Sequence, residues 1–316
     1  MHEFDLIQKY FTWDNAPNDV VIAVGDDAAV LDIPTGKQLV TSIDTLISGV
    51  HFPENTPAIS IGHKALAANL SDLAAMGANP KWFTLALTLP EIDENWLEGF
   101  SKGLKALAQR HDCFLIGGDT TRGPLSISIQ VMGVVDTNKA LLRSGAKVGD
   151  KIYVTGTLGD AAAGLQSVLQ TLVLSDKDRE FCQNQLNNPS PRLDESKIIQ
   201  RYASACIDVS DGLLQDLSHI LKASKVGAEL NVPALPLSSA LHSLDNVVAI
   251  DFALTGGDDY ELLFTVPAKH EDEFLIDNKG SATCIGIITE HSNKMTDESG
   301  NDLSNLNNKG YNHFNV

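Results

Sequence analysis

"KALAANLSDLAAMGA", residues 64–78, decides how this chain is to be read. Leu66, Leu70 and Leu73 recur at helical spacing, Gly77 offers a left-handed cap, and Pro80 blocks continuation. The pattern predicts a helix over 58–76. Asn69 and Asp72 share a second side of that helix, at i and i+3. Asp72 thus lies inside a strongly apolar helix, where a role in starting the helix does not account for it. A carboxylate taken out of water is costly unless paired or bound to a cation, so a functional role is expected.

The same conjunction recurs along the chain. "AVGDDAAVL" (23–31) closes an apolar run with Asp26 and Asp27, and "QLVTSIDTL" (38–46) runs into Asp44. "CFLIGGDTT" (113–121) ends in Gly117, Gly118 and Asp119. "ACIDVSDGLL" (205–214) presents Asp208 and Asp211, and "FALTGGDDYELLF" (252–264) presents Asp258 and Asp259. Independent helix caps would not require surroundings so rich in glycine, serine and threonine. A hard-cation site would, because Mg²⁺ takes carboxylate oxygens and glycine lets phosphate approach the backbone.

The 316 residues argue for two domains or one large one, and a hydrophobic share of 43% supplies substantial cores. A net charge of −18 excludes a surface for nucleic acid or anionic membrane. No apolar run reaches the ~18 residues of a membrane span, and the mixed-charge start "MHEFDLIQKYFTWD" does not read as a secretory signal. Cys113, Cys182, Cys206 and Cys284 are scattered without a CxxC, as expected of reduced thiols in a cytoplasmic protein. The nine histidines include no HExxH.

Strand-like and helix-like segments alternate, which predicts an α/β (α+β) architecture. Strands are expected at 20–24, 38–43, 82–89, 113–116, 125–135, 151–155, 205–209, 252–255, 261–266 and 283–288. Helices are expected at 58–76, 94–110, 159–171, 192–202 and 211–224. The polar stretch 136–150 reads as a domain connection, giving domains at 1–137 and 138–316. "GGD" at 117–119 and 256–258 is a faint echo between the halves.

Familiar phosphate-binding signatures are missing. The chain has no GxxxxGK[ST], no GxGxxG after a strand, no kinase-like HRD or DFG and no GxSxG. "YVTGTLGDAAAGL" (153–165) offers either an anion-holding helix N-terminus or a turn needing positive φ at Gly156 or Gly159. Arg143 in "LLRSGAK" is either a solvated surface cation or a bidentate phosphate contact. His51 in "SGVHFP" is either a turn histidine or a phosphate ligand.

Taken in order, "GDDAAVL", "IDTLISGVHF", "KALAANLSDLAAMGA", "LIGGDTTRGPL", "LLRSGAKVGD", "YVTGTLGDAAAGL", "CIDVSDGLLQDL", "LTGGDDYELLFTVP" and "KGYNHF" closely resemble the thiamine-monophosphate kinase family, from about residue 4 to 314. That family belongs to the aminoimidazole-ribonucleotide synthetase and selenophosphate synthetase-like superfamily. The resemblance implies ATP-dependent phosphorylation of thiamine phosphate to thiamine diphosphate, the final step of making that cofactor. It implies a two-domain fold whose N-terminal ATP- and Mg-binding domains pair into a homodimer β-barrel, with a C-terminal α/β domain completing the active site.

Carried over by motif, the resemblance implies Mg²⁺ ligation by Asp27, Ser42, Ile43, Asp44, Asp72, Asp119, Asp208 and Asp211, several ions in all. It assigns ATP to Gly118, Asp119, Arg143 and Ser210, and thiamine phosphate to His51, Asp258 and Tyr311. Asp72, Asp119, Arg143 and Asp211 would carry the transfer itself. A monovalent cation requirement is left open. Two departures stand out: Ile43 replaces a hydroxyl residue, so only its carbonyl could ligate, and Asp258 replaces a glutamate. The acceptor phosphate, with a second pKa of ~6, is already anionic at neutral pH, so no general base is needed. Two readings compete: another synthetase of the superfamily, and a non-catalytic nucleotide or metal sensor.

Overall fold

The computed structural model describes residues 3–25, 27–304 and 306. The chain divides into two units, Met1–Leu73 with Ala78–Lys139, and Ala74–Gly77 with Ala140–Val316.

In the first unit, α1 (Glu3–Leu6) runs into a π-helical turn (Ile7–Phe11). The short antiparallel pair β1 (Val20–Ile22) and β2 (Val30–Leu31) follows. Then come β3 (Lys37–Ile47), α2 (Ala58–Ala75), β4 (Asn79–Leu89), α3 (Glu94–Arg110), β5 (Phe114–Arg122) and β6 (Ser126–Asp136). The sheet order is β3-β6-β4-β5, with β4 and β5 parallel and the other pairs antiparallel. The expected helix at 58–76 is α2. Leu66, Leu70 and Leu73 are fully buried, and Gly77 turns left-handed at φ 68°. That turn lets the Ala78 N–H reach the Leu73 carbonyl at 2.9 Å. Asp93 caps α3 by accepting from the N–H groups of Asn95 and Trp96.

The second unit contains β7 (Lys151–Thr155), α4 (Asp160–Val168), α5 (Asp176–Asn187), α6 (Leu193–Ile199), β8 (Ala205–Val209), α7 (Leu213–Ser224) and β9 (Gly227–Leu230). These are followed by α8 (Asn246–Thr255), β10 (Glu261–Val266), α9 (Ala268–Asn278), β11 (Ala282–Thr289) and β12 (Met295–Asp297). The sheet order is β12-β9-β11-β7-β10-β8, antiparallel except for the β12–β9 pair. Side chains alternate across it, as the strand period of two requires. Ile152 and Val154 join the core with Leu213, Leu217 and Ile220 of α7. Tyr153, between them, meets Phe264 and Phe274 in an aromatic cluster under α9.

One expected element is overturned. Residues 252–255, read as a strand, are the last turn of α8, which Asp245 starts by accepting from the Val247 N–H at 2.9 Å. The apolar run "VVAIDFAL" fits a buried helix as well as a strand, and the cap decides between them. The "GGD" echo also lapses: 117–119 lies within β5, whereas 256–258 follows a helix. All four cysteines are free, three of them buried. Among the described residues, no helix is long and apolar enough to cross a membrane.

Candidate active site

In the first unit, β3 and α2 face each other through polar side chains. Ser42 and Asp44 are half-buried on one face of β3, while Ile43 between them is 62% exposed on the other. Alternation therefore leaves only the Ile43 carbonyl for any ligand on the inner side. The Ser42 hydroxyl donates to Asp72 Oδ2 at 2.5 Å. The Asp44 N–H donates to Asn69 Oδ1 at 3.1 Å, and the fully buried Asn69 is fixed by its own bond to the Ala65 carbonyl. Two positions three apart on the helix thus meet two positions two apart on the strand. Sequence spacing placed Asn69 and Asp72 on one side, and the structure shows what that side touches.

His51 lies in the turn after β3, where its Nδ1 accepts the Ile47 N–H at 3.0 Å. That bond places the proton of a neutral imidazole on Nε2. Asp27 is exposed in the turn between β1 and β2. Gly118 and Asp119 lie on β5, the edge opposite β3. Asp44, Ile129, Leu85 and Gly118 form one register row across the sheet. Three interstrand spacings separate the ends of that row by about 14 Å along the sheet. Among the described residues, no three His, Cys, Asp or Glu side chains form a ready-made metal cluster.

In the second unit two motifs are stitched together. Asp208, buried, is the fourth residue of β8, and the turn at Ser210 and Asp211 leads into α7. Asp216 Oδ2 gathers the N–H groups of Ser210, Asp211 and Gly212 at 3.0, 3.1 and 3.2 Å, which fixes this turn. Burial, with the charges of Asp208 and Asp211 nearby, pushes the Asp216 carboxyl well above the usual carboxylate range. Onto this turn folds the 256–260 segment. The Asp258 N–H donates to the Ser210 carbonyl at 2.9 Å and the Tyr260 N–H to the Val209 carbonyl at 2.8 Å.

Asp259 resolves the ambiguity at "YVTGTLGDAAAGL". Its side-chain oxygens accept the Gly159 N–H at 2.8 Å and the Ala161 N–H at 3.5 Å, so the acid at the α4 N-terminus is the chain's own. Gly156 and Gly159 also have positive φ, at 55° and 84°. Burial is the main reason the Asp259 carboxyl is raised well above its ordinary value. Glu261, the next acid, is clamped by Arg192 (Nε–Oε2 2.7 Å, Nη2–Oε1 2.5 Å) and by the Thr155 hydroxyl at 2.5 Å.

Arg143 is exposed, on a loop held by Ser224, whose Oγ accepts the N–H groups of Gly145 and Ala146 at 3.1 and 3.2 Å. His219 on α7 lies within the field of both Arg143 and Asp211. Burial, then the Arg143 cation, lowers its pKa. The second unit therefore gathers a guanidinium, the carboxylates of Asp208 and Asp211, and the Ser210 turn beside Asp258, a set suited to polyphosphate. Tyr311 lies outside the described residues, as does Asp26. The sequence did not single out Asp216, His219 or Tyr260, and gave Asp259 no role. Asp216 had a local signal, an acid in the first turn of a helix. Asp259 had none, because its partners lie about a hundred residues away.

Comparison with known proteins follows the same division. Residues 25–135 match the family model for AIR synthase related protein, N-terminal domain, and residues 147–297 that for AIR synthase related protein, C-terminal domain. The chain is 46% identical over 318 residues to the thiamine-monophosphate kinase of Escherichia coli (strain K12), covering 99% of this chain and 98% of that protein. The crystal structure of thiamine-monophosphate kinase from Stenotrophomonas maltophilia K279a matches with a TM-score of 0.84 at 46% identity, covering 89% and 92% of the two chains. AaThiL complexed with AMPPCP and TMP matches with a TM-score of 0.80 at 33% identity, covering 98% and 96%.

Proposed function

The chain belongs to the thiamine-monophosphate kinases, with their two-domain AIR synthase-related fold, and phosphorylates thiamine phosphate with ATP; we propose that it does so by direct in-line transfer, in a site built on oxygen ligands for Mg²⁺. The observation that carries this reading is the bond from the Asp258 N–H to the Ser210 carbonyl, 2.9 Å. It joins the backbones of residues 258 and 210, which supports the reading in which the first serves thiamine phosphate and the second ATP.

The donor set fits a hard cation. Asp27, Ser42, the Ile43 carbonyl, Asp44, Asp72, Asp119, Asp208 and Asp211 offer only oxygen. In the second unit, burial and then the nearby charges of Asp208 and Asp211 raise the Asp216 pKa, and a divalent cation would relieve that concentration of negative charge. When bound, Mg²⁺ offsets the repulsion between the two polyanionic substrates, about 4 kcal/mol for each unit pair at 4 Å in a partly shielded site. The spread of these ligands across the first unit's sheet favours several ions.

The chain's own groups do the rest. Arg143 offers a two-pronged contact to ATP phosphates, and Gly118 and Ser210 meet the nucleotide through backbone and hydroxyl. Nε2–H of His51 donates to the acceptor phosphate. That phosphate is anionic at neutral pH, and no side chain needs to remove a proton from it. Tyr311 is assigned to the thiamine rings through cation–π and stacking contact.

Residues 1–137 form the ATP- and Mg-binding and dimerisation domain in this reading, and residues 138–316 the C-terminal α/β domain. Homodimer formation is supported by β3, an edge strand with Leu39, Ile43 and Ile47 exposed on one face. The free, mostly buried cysteines support a cytoplasmic setting.

ADP release measured with and without thiamine phosphate tests the whole reading. Release that needs both thiamine phosphate and Mg²⁺ is expected. Release without thiamine phosphate would point to another synthetase of the superfamily, and none under any condition to a sensor. Full turnover in excess chelator would remove the metal ligation.

A further inference from the structure

The segment 256–260 holds a conformation that its sequence does not favour. Asp258 has φ 67° and Tyr260 φ 51°. Aspartate tolerates the left-handed region because its short polar side chain can bond locally, but for a bulky residue it is an outlier. Such strain persists only where the surroundings over-determine it, and it collects at functional sites.

Here the surroundings fix Tyr260 from both sides. Asp259 is bound into the first turn of α4, Glu261 is clamped by Arg192 and Thr155, and the Tyr260 N–H is tied to the Val209 carbonyl. Tyr260 is 8% exposed, and its hydroxyl donates to Asp258 Oδ1 at 3.0 Å. A carboxylate turns easily about its last bond, and a hydrogen bond to one oxygen sets the plane of both.

We propose that Tyr260 is a positioning residue for thiamine phosphate, its hydroxyl fixing the plane in which the Asp258 carboxylate meets the cationic thiamine moiety. The proposal rests on the assignment of Asp258 to the substrate. The Tyr260–Asp258 bond lies on the thiamine side and does not change as the phosphoryl group moves. Its loss is therefore uniform binding lost, seen in KM and not in kcat.

The test is a double-mutant cycle on the full-length enzyme, with KM for each substrate, kcat and Tm measured for Tyr260→Phe, Asp258→Ala and the pair. Tyr260→Phe keeps the ring and removes one hydrogen bond to a charged group. KM for thiamine phosphate should rise about tenfold, with kcat, Tm and KM for ATP nearly unchanged. In the Asp258→Ala background the same change should add nothing, because the hydroxyl then has no carboxylate to orient. Additive effects in the pair, equal losses for both substrates, or a fall in Tm that accounts for the loss would each overturn the proposal. A normal Tyr260→Phe beside an impaired Asp258→Ala would overturn it and leave the substrate role of Asp258 intact. A normal Asp258→Ala would remove that substrate role first, and the role of Tyr260 with it.

Discussion

The hydroxyl of Ser42 on β3 donates to Oδ2 of Asp72 on α2 across 2.5 Å, joining the strand to the helix through two residues proposed as metal ligands. The hydroxyl proton faces the carboxylate, so the serine lone pairs point away from it.

Asp72→Asn keeps the shape of this pair and removes its charge. If Asp72 holds a cation against the phosphates, kcat should fall by about 100-fold or more, as when one strong electrostatic stabiliser is lost. Thermal stability should change little, because the amide oxygen still accepts from Ser42. Steady-state kinetics beside a melting curve decides it, and an Asn variant within threefold of wild type would end the assignment.

Gly118 is assigned to ATP, yet it also governs how β5 meets β4. A β-carbon there would strike the Leu85 carbonyl, and the residue sits at φ 156°. Gly118→Ala should cost about 1–3 kcal/mol as the strands shift to make room. Denaturant titration measures this cost. Added ATP should recover less stability in the variant than in wild type, and equal recovery would separate Gly118 from the nucleotide.

Asp259 makes stability pH-dependent, and the sign follows from its raised pKa. Its unfolded value is the ordinary 3.8, and burial lifts the folded value well above that. Between the two, the folded chain holds a proton that the unfolded chain has released. This contribution is complete below 3.8 and is lost as pH rises through the folded value. Asp259→Asn cannot titrate. Its Tm relative to wild type should therefore climb as pH rises from 3.8 through the folded value, while other raised acids such as Asp216 act in both proteins and cancel. A difference that stays flat with pH would mean that Asp259 titrates alike folded and unfolded.

Much of this was legible in the sequence, for identifiable reasons. The 58–76 helix announced itself through leucine spacing and a glycine stop although it is buried on nearly every side, and 94–110 through its own periodicity, because it buries a regular stripe. Helix α5 was missed, since "DKDREFCQNQLN" buries only Cys182 and Leu186. Its N-cap Ser175 was the one cue. The carboxylate recurrence singled out Asp44, Asp72 and Asp208, but could not say which acids face a ligand and which face the chain's own amides. Asp259 and Asp216 fall in the second class. A cap on a helix distant in sequence, such as α4, leaves no local pattern to read.

His51 gives the last test, because its two ring nitrogens have separate tasks. Nδ1 accepts the Ile47 N–H at 3.0 Å, and the His51 N–H returns a bond to the Ile47 carbonyl at 3.0 Å, closing the turn. In the proposed reading, Nε2 donates to the acceptor phosphate. Asparagine can place its oxygen near Nδ1 but has nothing at Nε2, whereas glutamine places its amide nitrogen near Nε2 and loses the turn bond. His51→Asn should keep the melting temperature and raise KM for thiamine phosphate by about tenfold, the worth of one hydrogen bond to a charged group. His51→Gln should do the reverse, with a lower Tm and a smaller rise in KM. KM for ATP should stay near wild type in both, since Nε2 serves the acceptor. If both variants lose stability equally and bind thiamine phosphate equally well, His51 is a turn residue and nothing more.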